Sequence, residues 1–368
     1  MIKIICVCGA RPNLMKIAPI MRAFEATGNF ETLLVHTGQH YDENMSRLFF
    51  DDLRIPEPDI NLEVGSASHA AQTAEIMKRF EPVILDFKPD YVLVVGDVNS
   101  TIACGLVAVK LGAKLIHVEA GLRSFDWTMP EEINRLLTDR ISDLLFVTEQ
   151  SGLDNLAKEG IDSNKVHFVG NVMIDTLMAN RERAKKSDIL IRLGLVEKGY
   201  VAITLHRPSN VDDLDKFDKI IAAFEEIQKD LKLVFPMHPR TRNNIRNSEL
   251  EKRIEAMANF ILLEPIGYVD FLHLMSNAAV VITDSGGIQE ETTILQIPCM
   301  TLRENTERPV TITEGTNRLV HIETEDILRH YNEIKSNNFE AKGRIPKYWD
   351  GKAAERIADI VAKSKFSS

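Results

Sequence analysis

Short apolar segments alternate with segments of helical periodicity along almost the whole chain. The apolar segments are continuously hydrophobic, which is typical of strands buried on both faces of a parallel sheet covered by helices. The predicted strands are residues 2–8, 32–36, 91–95, 114–117, 144–147, 166–168, 200–204, 232–235, 260–263, 280–283, 298–301 and 318–320. The predicted helices include residues 16–26, 70–85, 101–111, 131–141, 175–185 and 352–364.

The number of strands decides between two α/β architectures. A single (β/α)₈ barrel also alternates strands and helices, but twelve predicted strands are too many for it. We therefore predict two doubly wound Rossmann-like domains that face each other across a cleft, where ligands bind at the carboxyl ends of the strands. The predicted domains are residues 1–172 and 173–349, and the final helix in 350–368 is expected to pack back on the first domain.

Composition narrows the class of protein. The chain has 368 residues, of which 44% are hydrophobic and 27% charged, and no apolar run approaches the roughly 20 residues that span a bilayer. A net charge of −10 argues against a nucleic-acid partner. The four cysteines lie in apolar surroundings without Cys-x-x-Cys spacing, which fits a reducing compartment. We predict a cytoplasmic protein with no membrane partner.

The stretch from Thr283 to Glu291 carries the first candidate chemistry. A β-branched strand ends in Asp284-Ser285-Gly286-Gly287 and runs into a helix start, where free backbone N–H groups and the helix dipole favour a phosphate. Glu291, one turn further on, is placed to reach a ribose diol. The alternative is an ordinary strand-to-helix turn in which Ser285 is merely an N-cap.

Because the chain is acidic, an anionic ligand requires positive charge concentrated near the strand ends. The candidate cations are Arg11, Lys16, Arg123, Arg207 and Arg308. His206 precedes Arg207 at a strand end and suits either phosphate binding or proton transfer. Pro208 is expected to prevent an immediate helix there.

Carboxylates follow two other strands. Asp97 and Glu119 come directly after buried segments, where a carboxylate is costly unless it is paired or used. The alternatives are that Asp97 caps its helix and that Glu119 pairs with Arg123. Glu131 follows Pro130 in what also reads as an ordinary helix start.

The sequence contains no convincing motif for a metal or a cofactor. His36 and His40 have an i, i+4 spacing, but Gly38 between them breaks any helix, so a metal site is not predicted. Neither Gly-x-Gly-x-x-Gly nor a P-loop motif occurs, and Asp213-Leu214-Asp215 reads as charge at a helix start. We predict no metal and no cofactor.

Taken in order, these motifs resemble the non-hydrolysing UDP-N-acetylglucosamine 2-epimerases, a family with the two-domain glycosyltransferase-B (GT-B) fold. The resemblance rests on residues 9–12 with Lys16, 96–97, 117–123, 130–132, 206–207, 284–291 and 306–309. It implies that Asp97, Glu119, Glu131 and His206 are catalytic. The residues implied to bind the UDP-sugar are Arg11, Lys16, Arg123, Arg207, His238, Phe271, Ser285, Gly286, Gly287, Glu291 and Arg308, and His206 also contacts UDP.

The resemblance further implies a homodimer that interconverts UDP-GlcNAc and UDP-ManNAc for surface polysaccharides, without metal or redox cofactor. The family commonly has Gly-Thr-Arg-Pro-Glu where this chain has residues 9–13, and Gly-His-Arg-Arg-Glu where it has 205–209. The alternatives are a 2-epimerase of a modified UDP-HexNAc such as a diacetamido uronate, a retaining GT-B glycosyltransferase, and a catalytically silent nucleotide-sugar sensor.

Overall fold

The computed structural model describes residues 1–39, 57–237, 239–246, 248–341 and 343–364, without the side chains of residues 11, 239 and 240. The chain divides into two compact units. Unit 1 contains residues 1–179 and 347–368, and unit 2 contains residues 180–346. Each unit is a parallel sheet with helices on both faces.

The described strands are β1 (Ile2–Cys8), β2 (Phe30–His36), β3 (Ile60–Asn61), β4 (Tyr91–Val95), β5 (Lys114–Ala120), β6 (Leu144–Val147), β7 (Val166–Phe168), β8 (Tyr200–Thr204), β9 (Lys232–Pro236), β10 (Phe260–Leu263), β11 (Val280–Thr283), β12 (Cys299–Leu302) and β13 (Asn317–Val320). The described helices are α1 (Arg11–Thr27), α2 (His69–Phe87), α3 (Asn99–Lys110), α4 (Pro130–Ile141), α5 (Gln150–Lys158), α6 (Val172–Ala184), α7 (Ile189–Arg192), α8 (Pro208–Val211), α9 (Leu214–Ile227), α10 (Pro239–Ile245), α11 (Glu249–Ala256), α12 (Tyr268–Ser276), α13 (Gly286–Leu295), α14 (Val310–Thr313), α15 (Thr324–Ser336) and α16 (Ala353–Ser364).

The six strands of the unit 2 sheet have the same order as the first six strands of the seven-stranded unit 1 sheet. In unit 1 the order is β3-β2-β1-β4-β5-β6-β7, and in unit 2 it is β10-β9-β8-β11-β12-β13, so both follow the 3-2-1-4-5-6 order of a Rossmann fold. All pairings are parallel. The prediction of two doubly wound α/β domains is confirmed. In each sheet the order reverses beside the first strand, so the switch points lie between β1 and β4 and between β8 and β11.

The buried side chains explain why these segments form strands. β4 is buried at all five positions, and β11 is buried at all four. A strand that buries both faces needs helices on each side of the sheet, and apolar residues of β4 and α3 contribute to one core cluster of unit 1. In the described part of the chain, no helix is both long and apolar enough to cross a bilayer.

The last helix belongs to unit 1. Asp175 of α6 accepts hydrogen bonds from the backbone N–H groups of Ala353 (3.1 Å) and Ala354 (2.7 Å) at the start of α16. The indole Nε1 of Trp349 donates to the carbonyl of Thr148 at 2.9 Å. The chain therefore returns to unit 1 at residue 347, close to the predicted residue 350.

The first boundary lies at residue 179 and differs more from the predicted residue 172. It falls inside α6, which has no glycine or proline to mark it in the sequence. The first half of α6 is tied to unit 1, because Thr176 Oγ1 donates to the carbonyl of Met15 at 2.5 Å.

The prediction that Pro208 prevents an immediate helix is wrong. Pro208 occupies the first position of the one-turn helix α8. Proline is well tolerated there, because its φ angle suits a helix and the missing N–H has no partner in a first turn. The short strand β3 is a further element that the apolar pattern did not indicate.

Candidate functional site

Lys16 and Glu119 form a buried ion pair at the switch point of unit 1. Lys16 Nζ lies 2.5 Å from Glu119 Oε2. Both residues are inaccessible, with 7% and 3% exposure. Lys16, which the resemblance placed at UDP, therefore contacts a predicted catalytic carboxylate, and α1 and β5 together hold the pair.

The backbone around this pair is specialised. Glu119 has a φ of 70°, in the left-handed region that residues with a side chain rarely adopt. The β5–β6 register shifts between Val118 and Ala120, so the strand bulges at Glu119. Gly96 at the end of β4 has a φ of 67°, and a Cβ there would lie 3.4 Å from Lys16 Nζ and 3.5 Å from Glu119 Oε2. A glycine at this position gives the ion pair its space.

Asp97 is held by two successive residues of α4. Arg135 Nε donates to Asp97 Oδ2 at 3.0 Å, and Asn134 Nδ2 donates to the Asp97 carbonyl at 2.9 Å. The Asp97 side chain keeps 35% exposure, whereas that of Arg135 has 4%. The residue that caps α3 is Val98, so the alternative in which Asp97 is a helix cap is wrong.

Arg123 belongs to an internal network. Its Nη2 lies 2.7 Å from Asp139 Oδ2 and 2.7 Å from Glu159 Oε2, and its side chain is 1% exposed. Burial opposes the charge on Arg123, but the hydrogen bonds that it donates to Glu159 and Asp139 raise its pKa. The alternative of a Glu119–Arg123 pair is therefore wrong. Arg123, which the resemblance implied to be a substrate-binding residue, has the internal partners Asp139 and Glu159, and a role at the substrate stays a prediction.

His117 joins the same network to the predicted acids. Its Nδ1 is 2.6 Å from Asp139 Oδ1 and its Nε2 is 2.9 Å from the carbonyl oxygen of Gly96. Burial alone would raise the pKa of the Asp139 carboxyl, but His117 and Arg123 lower it. The ring of His117 therefore fixes the peptide that leads into Asp97.

Two neighbouring glutamates open α4 and differ in their surroundings. Glu131 is half-buried, whereas Glu132 is 1% exposed. Glu132 accepts hydrogen bonds from the backbone N–H groups of Ser124 and Phe125, both at 2.9 Å, and from the guanidinium of Arg135. Glu132 thus folds the preceding loop, which leaves Glu131 as the glutamate of this turn suited to a ligand.

The predicted phosphate-binding position of unit 2 lies at the start of α13. Ser285 is at the N-cap position, and its hydroxyl makes no capping hydrogen bond. A Cβ on Gly286 would lie 3.2 Å from Arg308 Nη1, so the guanidinium lies directly over the first helical residue. Arg308 Nε is held by Glu290 Oε1 at 2.5 Å. The helix start therefore combines backbone donors with a fixed cation, which is suited to an anion.

His206 and Asp284 form a hydrogen-bonded pair next to the start of α13. His206 Nδ1 lies 3.0 Å from Asp284 Oδ1, and the imidazole is 53% exposed. Burial opposes ionisation of Asp284, but hydrogen bonds from His206 and from the backbone of Arg207 lower its pKa. An ionised carboxylate at Nδ1 fixes the ring and leaves Nε2 available for proton transfer.

Glu291 is more deeply buried than the sequence suggested. It is 1% exposed, and Tyr268 Oη donates to its Oε1 at 2.7 Å. Burial raises the pKa of Glu291 to about 7, an effect that Glu290 strengthens and the hydrogen bond from Tyr268 partly offsets. The contact of Glu291 with a ribose stays a prediction.

We expect Glu291 to make stability depend on pH. The folded protein holds a proton that the unfolded chain, with an ordinary pKa of about 4.3, has released. Stability should therefore fall as the pH rises from about 4.5 to about 7, and Glu291→Gln should remove up to about 3 kcal/mol of that fall. Urea unfolding at several pH values measures this, with exposed Glu255→Gln as the control. Equal slopes in both variants and the parent would contradict the expectation.

The structure gives fewer contacts for three other predicted site residues. Arg207 Nη2 is 4.0 Å from Glu307 Oε1, and its side chain is 31% exposed. Phe271 is half-buried on α12, three residues after Tyr268. Arg11 begins α1, but its side chain lies outside the described part of the chain.

His238 lies outside the described residues, as does His40 of the rejected histidine pair. Within the described ranges, no cluster of three or more His, Cys, Asp or Glu side chains has the arrangement of a metal site.

Several residues that shape these sites were missed in the sequence. Arg135, Asn134 and Tyr268 lie outside the motifs given above, and Glu290 lies inside the 284–291 motif but was not singled out. Their partners are at least 18 residues away in the chain. A signal existed for Arg135, which follows Glu131 and Glu132 at i+4 and i+3 and so shares a helix face with them. Tyr268 had no comparable signal.

The strand order and the residues at the two switch points define a two-domain protein of the GT-B class, with acids in one Rossmann-like domain and a glycine-rich helix start beside Arg308 in the other. The family model for UDP-N-acetylglucosamine 2-epimerase matches residues 22–362. The chain belongs to the UDP-N-acetylglucosamine 2-epimerase family, which confirms the resemblance seen in its motifs.

Individual relatives match over the full length. The chain is 41% identical to the UDP-N-acetylglucosamine 2-epimerase of Methanocaldococcus jannaschii, over 99% of this chain and 100% of that protein. A crystal structure of the M. jannaschii UDP-GlcNAc 2-epimerase in complex with UDP-GlcNAc and UDP matches with a TM-score of 0.89 at 40% identity, over 98% of this chain and 100% of that one. A UDP-2,3-diacetamido-2,3-dideoxy-D-glucuronate 2-epimerase of Pseudomonas aeruginosa is 38% identical, over 98% and 99% of the two chains.

Proposed function

We propose that this protein interconverts UDP-GlcNAc and UDP-ManNAc by eliminating UDP and adding it back after C2 has been inverted. The observation that carries the proposal is the distribution of charge between two equivalent switch points. One presents Asp97, Glu119 and Lys16, and the other presents the start of α13 beneath Arg308. The names of the relatives supply the substrate class.

The C2–H bond of a HexNAc sugar is not adjacent to a carbonyl group, so an ordinary carboxylate cannot remove this proton directly. As the C1–O bond breaks, its electron pair leaves with UDP and C1 gains oxocarbenium character. The C2 proton then becomes acidic, and its loss to a base gives a 2-acetamidoglucal. In the return step, a proton reaches the opposite face of C2 and a phosphate oxygen of UDP bonds to C1.

Unit 2 supplies what the departing diphosphate needs. The N–H groups of Gly286 and Gly287 and the guanidinium of Arg308 would stabilise the charge that develops on the leaving phosphate, whereas the N–H of Ser285 donates to Thr283 Oγ1 at 3.0 Å. His206, held by Asp284, is suited to exchange a proton with a phosphate oxygen or with the sugar.

Unit 1 supplies carboxylates for the sugar. Asp97 retains exposure while Arg135 holds one of its oxygens, and Glu131 is the half-buried acid of the same site. Glu119 lies 2.5 Å from Lys16, so this buried carboxylate has a cation as its partner. These carboxylates would stabilise the cationic sugar and move the C2 proton.

The proposal predicts isotope incorporation without any acceptor. Incubation with UDP-GlcNAc in D₂O should place deuterium at C2 of both the recovered UDP-GlcNAc and the UDP-ManNAc formed, because the removed proton exchanges with solvent before it returns. Proton NMR and mass spectrometry measure this. A retaining glycosyltransferase or a silent sensor would leave C2 unlabelled.

A second substrate is favoured by the 38% identity to the P. aeruginosa diacetamido-glucuronate epimerase. The same isotope experiment with the UDP-diacetamido uronate separates the two candidates, since the better substrate gains label at the higher kcat/KM. Absence of label and product with both sugars would contradict the proposed reaction class.

The remaining features implied by the family are also proposals. We propose a cytoplasmic homodimer whose product enters surface polysaccharide synthesis. Sedimentation equilibrium of the purified chain measures the assembly, and a monomer at the concentrations used for activity would contradict it.

A further inference from the structure

Arg135 is a buried cation of unit 1 that has no direct part in the proposed mechanism. Its Nε donates to Asp97 Oδ2, its Nη1 donates to Glu132, and its Nη1 also lies 3.5 Å from Ser124 Oγ. With 4% side-chain exposure, it has little access to solvent. One guanidinium therefore connects a proposed catalytic carboxylate to the carboxylate that folds the neighbouring loop.

Arg135 lies on the same helix, α4, as the proposed catalytic residue Glu131. Glu131, Asn134 and Arg135 are separated by three and four residues, so they lie on one face of the helix. Asn134 holds the carbonyl of Asp97 while Arg135 holds its side chain. The helix α4, which carries Glu131, thus holds Asp97 through two hydrogen bonds. These bonds fix the position of Asp97 relative to Glu131.

The planar guanidinium is suited to this task in a way that an ammonium is not. It presents separate N–H donors in a fixed fork, so Nε and Nη1 serve two carboxylates simultaneously. Asp97 Oδ2 is occupied by Arg135, and the structure shows no hydrogen bond to Asp97 Oδ1 from a described residue. The carboxylate therefore has one anchored oxygen and one that can face a substrate.

We propose that Arg135 is a positioning residue that fixes the Asp97 carboxylate for proton transfer at C2 of the sugar. This rests on the proposed epimerase function. In this role Arg135 acts through Asp97 and not on the sugar or UDP directly, so its loss is expected to act on the chemical step and to leave nucleotide binding in place.

The first test compares substitutions on α4. Arg135→Gln should lower kcat by about 10²-fold while KM and the UDP dissociation constant change by less than about 3-fold, because the lost interaction acts in the transition state. Arg135→Lys should recover only part of the rate. Arg140→Gln, an exposed arginine of the same helix, is the matched control and should retain the parent rate.

Two double variants separate positioning from folding. Arg135→Gln leaves Glu132 without its cation, so adding Glu132→Gln removes the unpaired buried charge and should restore stability without restoring kcat. Asp97→Asn with Arg135→Gln should be about as slow as Asp97→Asn alone, because both changes disable the same carboxylate.

The outcomes distinguish this proposal from the function on which it rests. If the parent protein incorporates deuterium and Arg135→Gln keeps its kcat, the positioning role is overturned. Recovery of kcat in the Glu132→Gln double variant, or additive losses with Asp97→Asn, would also overturn it. If the parent itself shows no isotope exchange with either UDP-sugar, the proposed function fails instead.

Discussion

Asp97→Asn should lower kcat for epimerisation by about 10² to 10⁴-fold while the dissociation constant of UDP stays within about 3-fold of the parent value. The amide retains an oxygen for Arg135 Nε, so the side chain should keep its place. What is lost is the negative charge and the ability to accept a proton. Steady-state kinetics with UDP-GlcNAc and calorimetric titration with UDP measure the two quantities.

Asp143→Asn is the matched control for that result. Asp143 is an acid of the same unit that accepts a hydrogen bond from the backbone N–H of Leu115 at 2.8 Å, an interaction that asparagine can preserve. It should retain the parent kcat. Comparable losses of turnover and UDP affinity in Asp97→Asn would instead mean that Asp97 only supports the local fold.

Arg308→Gln should weaken UDP binding by about 10² to 10³-fold, because a charge-assisted contact to phosphate over a helix start is lost. That change corresponds to about 3 to 4 kcal/mol. Gly286→Ala should weaken UDP binding in the same direction, because its Cβ would lie 3.2 Å from Arg308 Nη1 and compete for the space of the anion. Both effects are measured by calorimetric titration with UDP.

Removing Arg308 also leaves Glu290, which is 1% exposed, without its cation. Arg308→Gln with Glu290→Gln should therefore regain stability yet still bind UDP weakly. Arg318→Gln is the control, since this arginine forms a solvent-exposed pair with Glu333 in the same unit and should not affect UDP. Parent-like UDP affinity in the double variant would remove Arg308 from the binding site.

Most strands could be predicted because their apolar runs are continuous. The bounds of β1, β4 and β11 match the predicted segments, since each is buried and ends at a polar cluster. The prediction ended β5 at His117, because Glu119 interrupts the apolar pattern. Its charge is compensated by Lys16, which lies far away in the sequence, so local hydropathy could not extend the strand.

Partners within the site were harder to predict than its location. Polar residues at strand ends indicated Asp97, Glu119 and the helix start at Ser285 as candidate site residues, and their roles stay predictions. Whether Arg123 pairs with Glu119 or with Asp139 depends on which side of the bulged strand each residue lies. That is a tertiary property, and the spacing of four residues between Glu119 and Arg123 suggested the wrong partner.

The docking of α16 onto Asp175 has a consequence for biosynthesis. Unit 2 is a single continuous segment, whereas unit 1 is assembled from both ends of the chain. On a ribosome, which releases the chain from its N-terminus onward, unit 2 can complete its core while unit 1 still lacks its final helix. The surface of unit 1 that binds α16 therefore stays uncovered in the nascent chain until all of unit 2 and α16 itself have been translated.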